Sequence, residues 1–246
     1  GKLSRKWSPQ QISNRLVREF PGAKEMRVST ETIYQAIYVH ARGELRRELG
    51  RQLRRGRVAR KPRKQPDARR PRFVDQMRPI SERPAEVETR QIPGHWEGDL
   101  IIGALGGSAI ATLVERTTRF VMLAHLGRER NAEALRDSLI TTVRHLPASF
   151  RQSLTWDQGA EMAEHRVFSV ATNFDVYFAD PGSPWQRGSN ENTNGLLRQY
   201  FPKGTDLAPH GVERLLEVAT ELNDRPRKSL DWDTPAERLT ALLEAS

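Results

Sequence analysis

Three acidic residues stand where their chemistry needs a reason. Asp99 lies within the apolar run Trp96–Ile102, where a carboxylate buried alone is costly. Asp157 ends the short run Ser153–Trp156 and is followed by Gln158-Gly159, and Glu191 falls in the first turn of a helix expected over about Ser189–Gln199. Each has an ordinary explanation. Asp99 could pair with a buried arginine, Asp157 could start a turn, and Glu191 could favour its helix N-terminus. Together, three carboxylates on elements that can converge offer a hard-oxygen site for Mg²⁺. Two such ions about 4 Å apart activate an attacking oxygen and stabilise a leaving one in phosphodiester chemistry. Behind Glu191, Asn194, Gly195 and Arg198 come at helical spacing on one face, which places Arg198 to hold a phosphate. Glu97 shares a strand face with Asp99 and is its rival as a ligand.

The elements that must position these acids are expected to form a mixed α/β module. Trp96–Ile102 reads as a central strand, followed by strands Ala109–Val114 and Phe120–Leu126 joined by the charged turn Glu115–Arg119. An amphipathic helix over Asn131–Leu146, the strand Ser153–Trp156, a short helix near 163–172 and the strand Val176–Ala179 come next. A Gly/Pro-rich loop, Pro181–Gly188, leads into the helix that carries Glu191. Helices Val212–Asn223 and Pro235–Glu244 close the chain, the last with Thr234 and Glu237 as a capping box. This order predicts a five-stranded mixed sheet flanked by helices.

The N-terminal part predicts a separate all-α module. Ser8 caps a helix that begins with Pro9, and Gln11 is its capping-box partner. Trp7 and Ile12 form a hydrophobic staple, and Phe20-Pro21-Gly22 ends the helix. A second helix starts at Ser29, with Val28 and Ile33 as staple and Ile33, Ile37 and Tyr38 as the apolar face. The pair reads as a helix-turn-helix or as a helical pair that only orients the basic segment after it. Ser29, Thr30, Thr32 and Gln35 suit base edges and phosphates in a major groove.

Charge separates the modules. The chain's 246 residues carry a formal +9, yet Arg42–Arg72 holds 14 Lys and Arg against three acids, so the remainder is slightly negative. This segment is expected to be a basic linker over 42–90, helical at first and extended afterwards. It is either a solvated tether or an arm that binds phosphates through Arg54, Arg55, Arg57, Arg60 and Lys61. The expected divisions are therefore 1–41, 42–90 and 91–246. Absence of cysteine removes disulfides, thiol catalysis and cysteine-based zinc sites. No histidine pair has helical ligand spacing, and no run approaches the roughly 20 apolar residues of a membrane helix. A cytoplasmic protein with a polyanionic partner is expected. Because the first residue is Gly rather than Met, a preceding segment is expected as well.

Several stretches carry a specific resemblance. They include Gly94-His95-Trp96-Glu97-Gly98-Asp99-Leu100-Ile101, Thr155-Trp156-Asp157-Gln158-Gly159 and the long run Ser183–Gly204 around Trp185-Gln186-Arg187-Gly188-Ser189-Asn190-Glu191. Leu222–Lys228, Thr234–Glu237, Trp7–Ile12 and Ser29–Tyr34 fit too, and 33 residues separate Asp157 from Glu191. With these motifs the chain resembles the IS-thirty family of insertion-sequence transposases, whose catalytic domain has the retroviral-integrase-like, RNase H-like fold. The resemblance covers 7–40 and 92–240 and leaves the basic linker poorly matched.

The resemblance implies that Asp99, Asp157 and Glu191 form a DDE triad holding two Mg²⁺, with Mn²⁺ as a substitute. It favours Asp99 over Glu97. Water would cut the phosphodiester at a transposon end, and the 3′-OH so formed would attack target DNA without a covalent protein–DNA intermediate. Double-stranded DNA, both transposon ends and target, is then the partner, bound by a homodimer in the bacterial nucleoid, with no membrane role. Arg198 matches the family's basic residue seven positions after the Glu. Trp185, Arg187, Asn194 and Lys203 join the expected DNA contacts, with Trp185 either stacking on a frayed base or anchoring its loop. His165 is either a site-positioning or a packed histidine, and Glu161 is a supporting acid. Family members carry a further N-terminal DNA-binding helical unit. The competing readings are a DNA-binding regulator without catalysis and a nonspecific nuclease of the same fold.

Overall fold

Strand β1 (His95–Ile102) forms where the sequence predicts it, and its centre position in the sheet fits its end Leu100–Ile102, which is apolar on both faces. It pairs antiparallel with β2 (Ala109–Glu115), which pairs antiparallel with β3 (Val121–Gly127). On its other side β1 pairs parallel with β4 (Ser153–Trp156), and β4 with β5 (Asp175–Phe178). The sheet order is β3-β2-β1-β4-β5, the mixed five-stranded arrangement expected and RNase H-like in form. The structure, a computed structural model, describes residues 1–37 and 75–245. The expected linker residues Arg54, Arg55, Arg57, Arg60 and Lys61 lie outside the described residues, as does Tyr38.

The described residues divide into two compact units, one of 75–220 and one of 1–37 with 221–245. Helices α1 (Pro9–Glu19) and α2 (Thr30–Gln35) belong to the smaller. In the larger, α3 (Ala132–Val143) packs on β3 and on α4 (His165–Thr172). Helix α5 (Gly188–Leu197) packs on β1 and β2, and α6 (Val212–Asn223) comes after it. Trp96, Leu113, Leu139, Trp156 and Phe168 are buried in one continuous core. Gly98 is required within β1, because a Cβ there would stand 2.1 Å from the Trp156 ring. The close approach of that ring holds the strand just before Asp99.

Residues 75–90 correct the linker boundary. Phe178 N–H donates to the Arg78 carbonyl at 2.9 Å, so this segment lies along β5. The Arg78 guanidinium pairs with Asp175 at 2.6 Å and covers the Tyr177 ring. Arg83 is buried against Thr155 and Glu88, and Val87 is buried too. Met77 packs against the sheet core, an apolar contact that the Arg-rich composition upstream conceals. The stretch is part of the catalytic unit rather than of a tether.

In the smaller unit, α1 carries the expected Ser8/Gln11 capping box, and Ser29 caps α2. Trp7, Ile12, Ile33 and Ile37 form the core between them. The C-terminal helix α7 (Pro235–Glu244), with its Thr234/Glu237 box, belongs here by contact, which corrects the grouping of 221–246 with the catalytic module. Gln11 Nε2 donates to the Pro226 carbonyl at 2.7 Å, Arg18 pairs with Asp233 at 2.7 Å, and Arg15 grips Glu237 with both terminal nitrogens. Apolar periodicity along α7 does not say which surface it covers; the ion pairs with α1 do.

The Arg15 hydrogen bonds pull the Glu237 carboxyl down to about 2, against an ordinary 4.5. In the unfolded chain Glu237 takes up its proton near 4.5, so the pair stabilises fully above that pH and is lost as the pH falls toward 2. Glu237 is 46% exposed, and solvent screening keeps the contribution modest. Arg15→Ala is therefore expected to lower stability in urea unfolding more at about pH 6 than near pH 2. A loss that does not vary with pH would contradict this assignment.

Candidate active site

The register between β1 and β4 brings the two aspartates together. His95 pairs with Ser153, Trp96 with Leu154 and Glu97 with Thr155, and extending this register sets Asp99 level with Asp157. One side chain ties them. The Arg187 guanidinium lies 3.4 Å from Asp99 Oδ1 and 3.3 Å from Asp157 Oδ2, and it donates to the Gly98 carbonyl at 3.0 Å. Asp99 Oδ1 also accepts from the Leu100 N–H at 2.9 Å, and its Oδ2 accepts from Asn194 Nδ2 at 2.9 Å. Asp157 Oδ1 accepts from the Gly159 N–H at 3.1 Å, which closes the expected turn.

Burial pushes the Asp99 carboxyl up, Arg187 pulls it back, and the charge of Asp157 raises it further. Glu161, half-buried just beyond β4, is also raised, first by burial and then by the charges of Asp157 and Asp99. Three acids thus share one field on this end of the sheet. Two of them, Asp99 and Asp157, converge on a position the fold already fills with a positive charge, and such a pair of hard carboxylates suits a divalent cation.

Glu97, the rival ligand, has a different function. It is wholly buried, and Arg116 pairs with its Oε1 at 2.8 Å. Its Oε2 accepts the backbone N–H groups of Ser189 and Asn190 at 2.8 and 3.0 Å, at the start of α5. Asn190 Nδ2 donates to the Glu97 carbonyl at 2.9 Å, and the Thr112 hydroxyl donates to Asn190 Oδ1 at 2.9 Å. With both carboxylate oxygens committed, Glu97 holds the positive end of a helix to the sheet. The main function of this pairing is to fix where α5 starts, and so where Glu191 stands. Nothing in the spacing distinguishes Glu97 from Asp99; their partners do.

Glu191 is exposed on the first turn of α5, one turn before the Asn194 amide that holds Asp99. The structure brings Asp99 and Asp157 together through Arg187. Among the described residues, no three His, Asp or Glu side chains are gathered closely enough to hold a metal, so Glu191 does not form one cluster with the two aspartates. Asn194 Oδ1 is buried with no hydrogen-bond partner among the described residues, and its Nδ2 donates to Asp99. Should Asp99 ligate a metal, Asn194→Ala is expected to reduce metal-dependent activity by about 10- to 100-fold, with the fold unchanged by circular dichroism. Wild-type rates in this variant would remove Asn194 from the site.

The other expected residues are distributed unevenly. Arg198 donates to the Phe201 and Ile102 carbonyls at 3.4 and 3.3 Å, and burial lowers its pKa, so it ties α5 to the end of β1. Trp185 is 71% exposed in the turn Pro184–Arg187, where Gln186 bonds Asp180, and Lys203 is exposed. His165 is buried against Phe178 with Nδ1 at 3.2 Å from the Met162 carbonyl, which is the packed-histidine reading. In the smaller unit Ser29 Oγ accepts the Thr32 N–H and lies 2.8 Å from the Thr32 hydroxyl, so both serve the cap. Gln35 is exposed and Thr30 half-buried.

An integrase core domain model matches residues 90–184, a span that holds Asp99 and Asp157 and stops before Glu191. The chain is 52% identical, over 98% of its length and 70% of the relative's, to a transposase for insertion sequence element IS1086 from Cupriavidus metallidurans. The chain belongs to the IS30, or IS-thirty, family of insertion-sequence transposases. Transposase InsI for insertion sequence element IS30A of Escherichia coli K12 is 44% identical over 96% of this chain, which spans 62% of that protein. A transposase for insertion sequence element IS4351 from Bacteroides fragilis is 35% identical over 98% of this chain and 71% of its own length. The chain therefore combines an integrase core with the α1–α2 helices. Among its described residues no helix is long and apolar enough to cross a membrane.

Proposed function

We propose that the chain cuts and joins DNA at transposon ends with Asp99, Asp157 and Glu191 as its catalytic carboxylates. The convergence of Asp99 and Asp157 on one cation position carries this reading. Two Mg²⁺ ions, or Mn²⁺, held by these three side chains would supply the activated attacking oxygen and the charge stabilisation of the leaving oxygen. Asn194 fixes the rotamer of Asp99, and the Glu97–Arg116 pair fixes the helix that presents Glu191. Trp185 and Lys203, exposed near Arg187 and α5 in sequence, are set to meet the DNA end through a base face and a phosphate. The polar first turn of α2, together with the basic segment 42–72, supplies groove and backbone contacts.

Double-stranded DNA is the substrate on this reading, as transposon end and then as target. Two ends must be processed together, so the active species is a homodimer on DNA. The site of action is the bacterial nucleoid. A regulator that only occupies transposon ends has no use for an acid pair kept beside an oriented Asn194. The test is incubation with labelled terminal-repeat duplexes and Mg²⁺. Product that depends on the repeat sequence is expected. Tight binding without product would support the regulator, and cutting of any duplex would support a nuclease.

A further inference from the structure

Asp99 and Asp157 already hold a cation, and it belongs to the chain. The Arg187 side chain is 14% exposed and its guanidinium lies between the two carboxylates. Its contacts of 3.3 and 3.4 Å are longer than the roughly 2.7–2.9 Å of strong charge-assisted hydrogen bonds. Its Nε is buried and has no acceptor among the described residues. Charge, more than a complete set of hydrogen bonds, keeps it there.

We propose that Arg187 is a positioning residue that stands in for the metal between Asp99 and Asp157 and leaves when a divalent cation arrives. This rests on the reading of the two aspartates as metal ligands. A small divalent ion binds carboxylate oxygens at about 2.0–2.1 Å, so it would meet a guanidinium on the same oxygens at close range and with like charge. The two cannot share the position. Without either, Asp99 and Asp157 would face each other uncompensated, as the upward push of Asp157 on Asp99 indicates.

Departure is open to this residue. Arg187 ends the short turn Pro184–Arg187 and precedes α5, and its neighbour Trp185 faces solvent. Once displaced, a planar guanidinium two residues from that tryptophan is suited to a backbone phosphate. The same side chain thus keeps the aspartates together before metal binding and gains a DNA contact after it. The expected DNA contact of Arg187 and its observed hold on the acids are then two states of one residue.

Mn²⁺ binding, measured by isothermal titration calorimetry on the full chain, separates the possibilities. Arg187→Gln is expected to bind Mn²⁺ about three- to tenfold more tightly than wild type, because the competing cation is gone. Its thermal midpoint should fall below wild type in EDTA and match it in saturating Mn²⁺. Arg187→Lys, whose compact ammonium cannot bridge both carboxylates as a fork does, should also bind more tightly and serves if the glutamine variant does not fold. Unchanged or weaker Mn²⁺ affinity in the variants, alongside weakened binding in Asp157→Asn, would overturn the stand-in role alone. Wild-type affinity in Asp157→Asn would instead overturn the metal-site reading beneath it.

Discussion

Asp157→Asn should lower strand cleavage by on the order of a thousandfold or more while leaving transposon-end binding nearly intact. Removing one ligand charge from the proposed metal site takes away several kcal/mol of transition-state stabilisation, and each 1.36 kcal/mol is about a factor of ten in rate. The folded state should tolerate the change, because Asp157 is 42% exposed and its partners are a turn N–H and Arg187. Asp99→Asn should lose as much activity, and Glu191→Gln should do the same on the triad reading. Gel-shift titrations beside cleavage assays make the comparison. Equal product from wild type and Asp157→Asn would remove the triad assignment, and equal loss of binding and cleavage would point to misfolding.

The second large effect lies where no chemistry occurs. Glu97→Ala is expected to cost about 3–5 kcal/mol in denaturant unfolding, because it strips the nearer and wholly buried partner from Arg116 and leaves that buried guanidinium with the exposed Glu88 alone as its carboxylate. The same change leaves the Ser189 and Asn190 N–H groups at the start of α5 without their acceptor. Glu97→Gln keeps the shape but brings no charge to Arg116, so it should be destabilised less than alanine yet measurably. A stability loss under about 1 kcal/mol for Glu97→Ala would show that the network is not needed to seat α5. A metal ligand at this position would instead lose activity with little change in stability, and the two variants divide these outcomes.

Glu97 and Asp99 also show where reading the sequence stops. Alternation puts both acids on the same strand face, and periodicity ranks neither above the other. What separates them is long-range: Arg116 comes from the β2–β3 turn, and the amides of Ser189 and Asn190 come from a helix 92 or more residues away. Strand and helix positions are legible because apolar alternation, capping residues and Gly/Pro breaks are local signals. The five strands of the mixed sheet and the caps at Ser8, Ser29 and Thr234 agree with them.

Boundaries set by packing are less legible. Met77 and Val87 sit at the edge of a strongly basic stretch and read as linker, whereas Val87 is buried and Arg78 borders β5. Arg83, Arg116 and Arg187 read as linker, turn and DNA-contact charges, although all three are largely buried against acids. An arginine's sequence context does not reveal whether its partner is a phosphate or a carboxylate of the same chain. The membership of 221–245 in the smaller unit likewise depends on Arg15 and Arg18 meeting Glu237 and Asp233, partners from opposite ends of the chain.

Crystals of the chain grown with Mn²⁺ and a transposon-end duplex, measured for anomalous scattering, would show whether the two aspartates hold metal. Manganese peaks are expected about 2 Å from carboxylate oxygens of Asp99 and Asp157, with Glu191 completing the set and the Arg187 guanidinium withdrawn. Manganese bound away from both aspartates, or seated beside an Arg187 that still bridges them, would contradict this expectation.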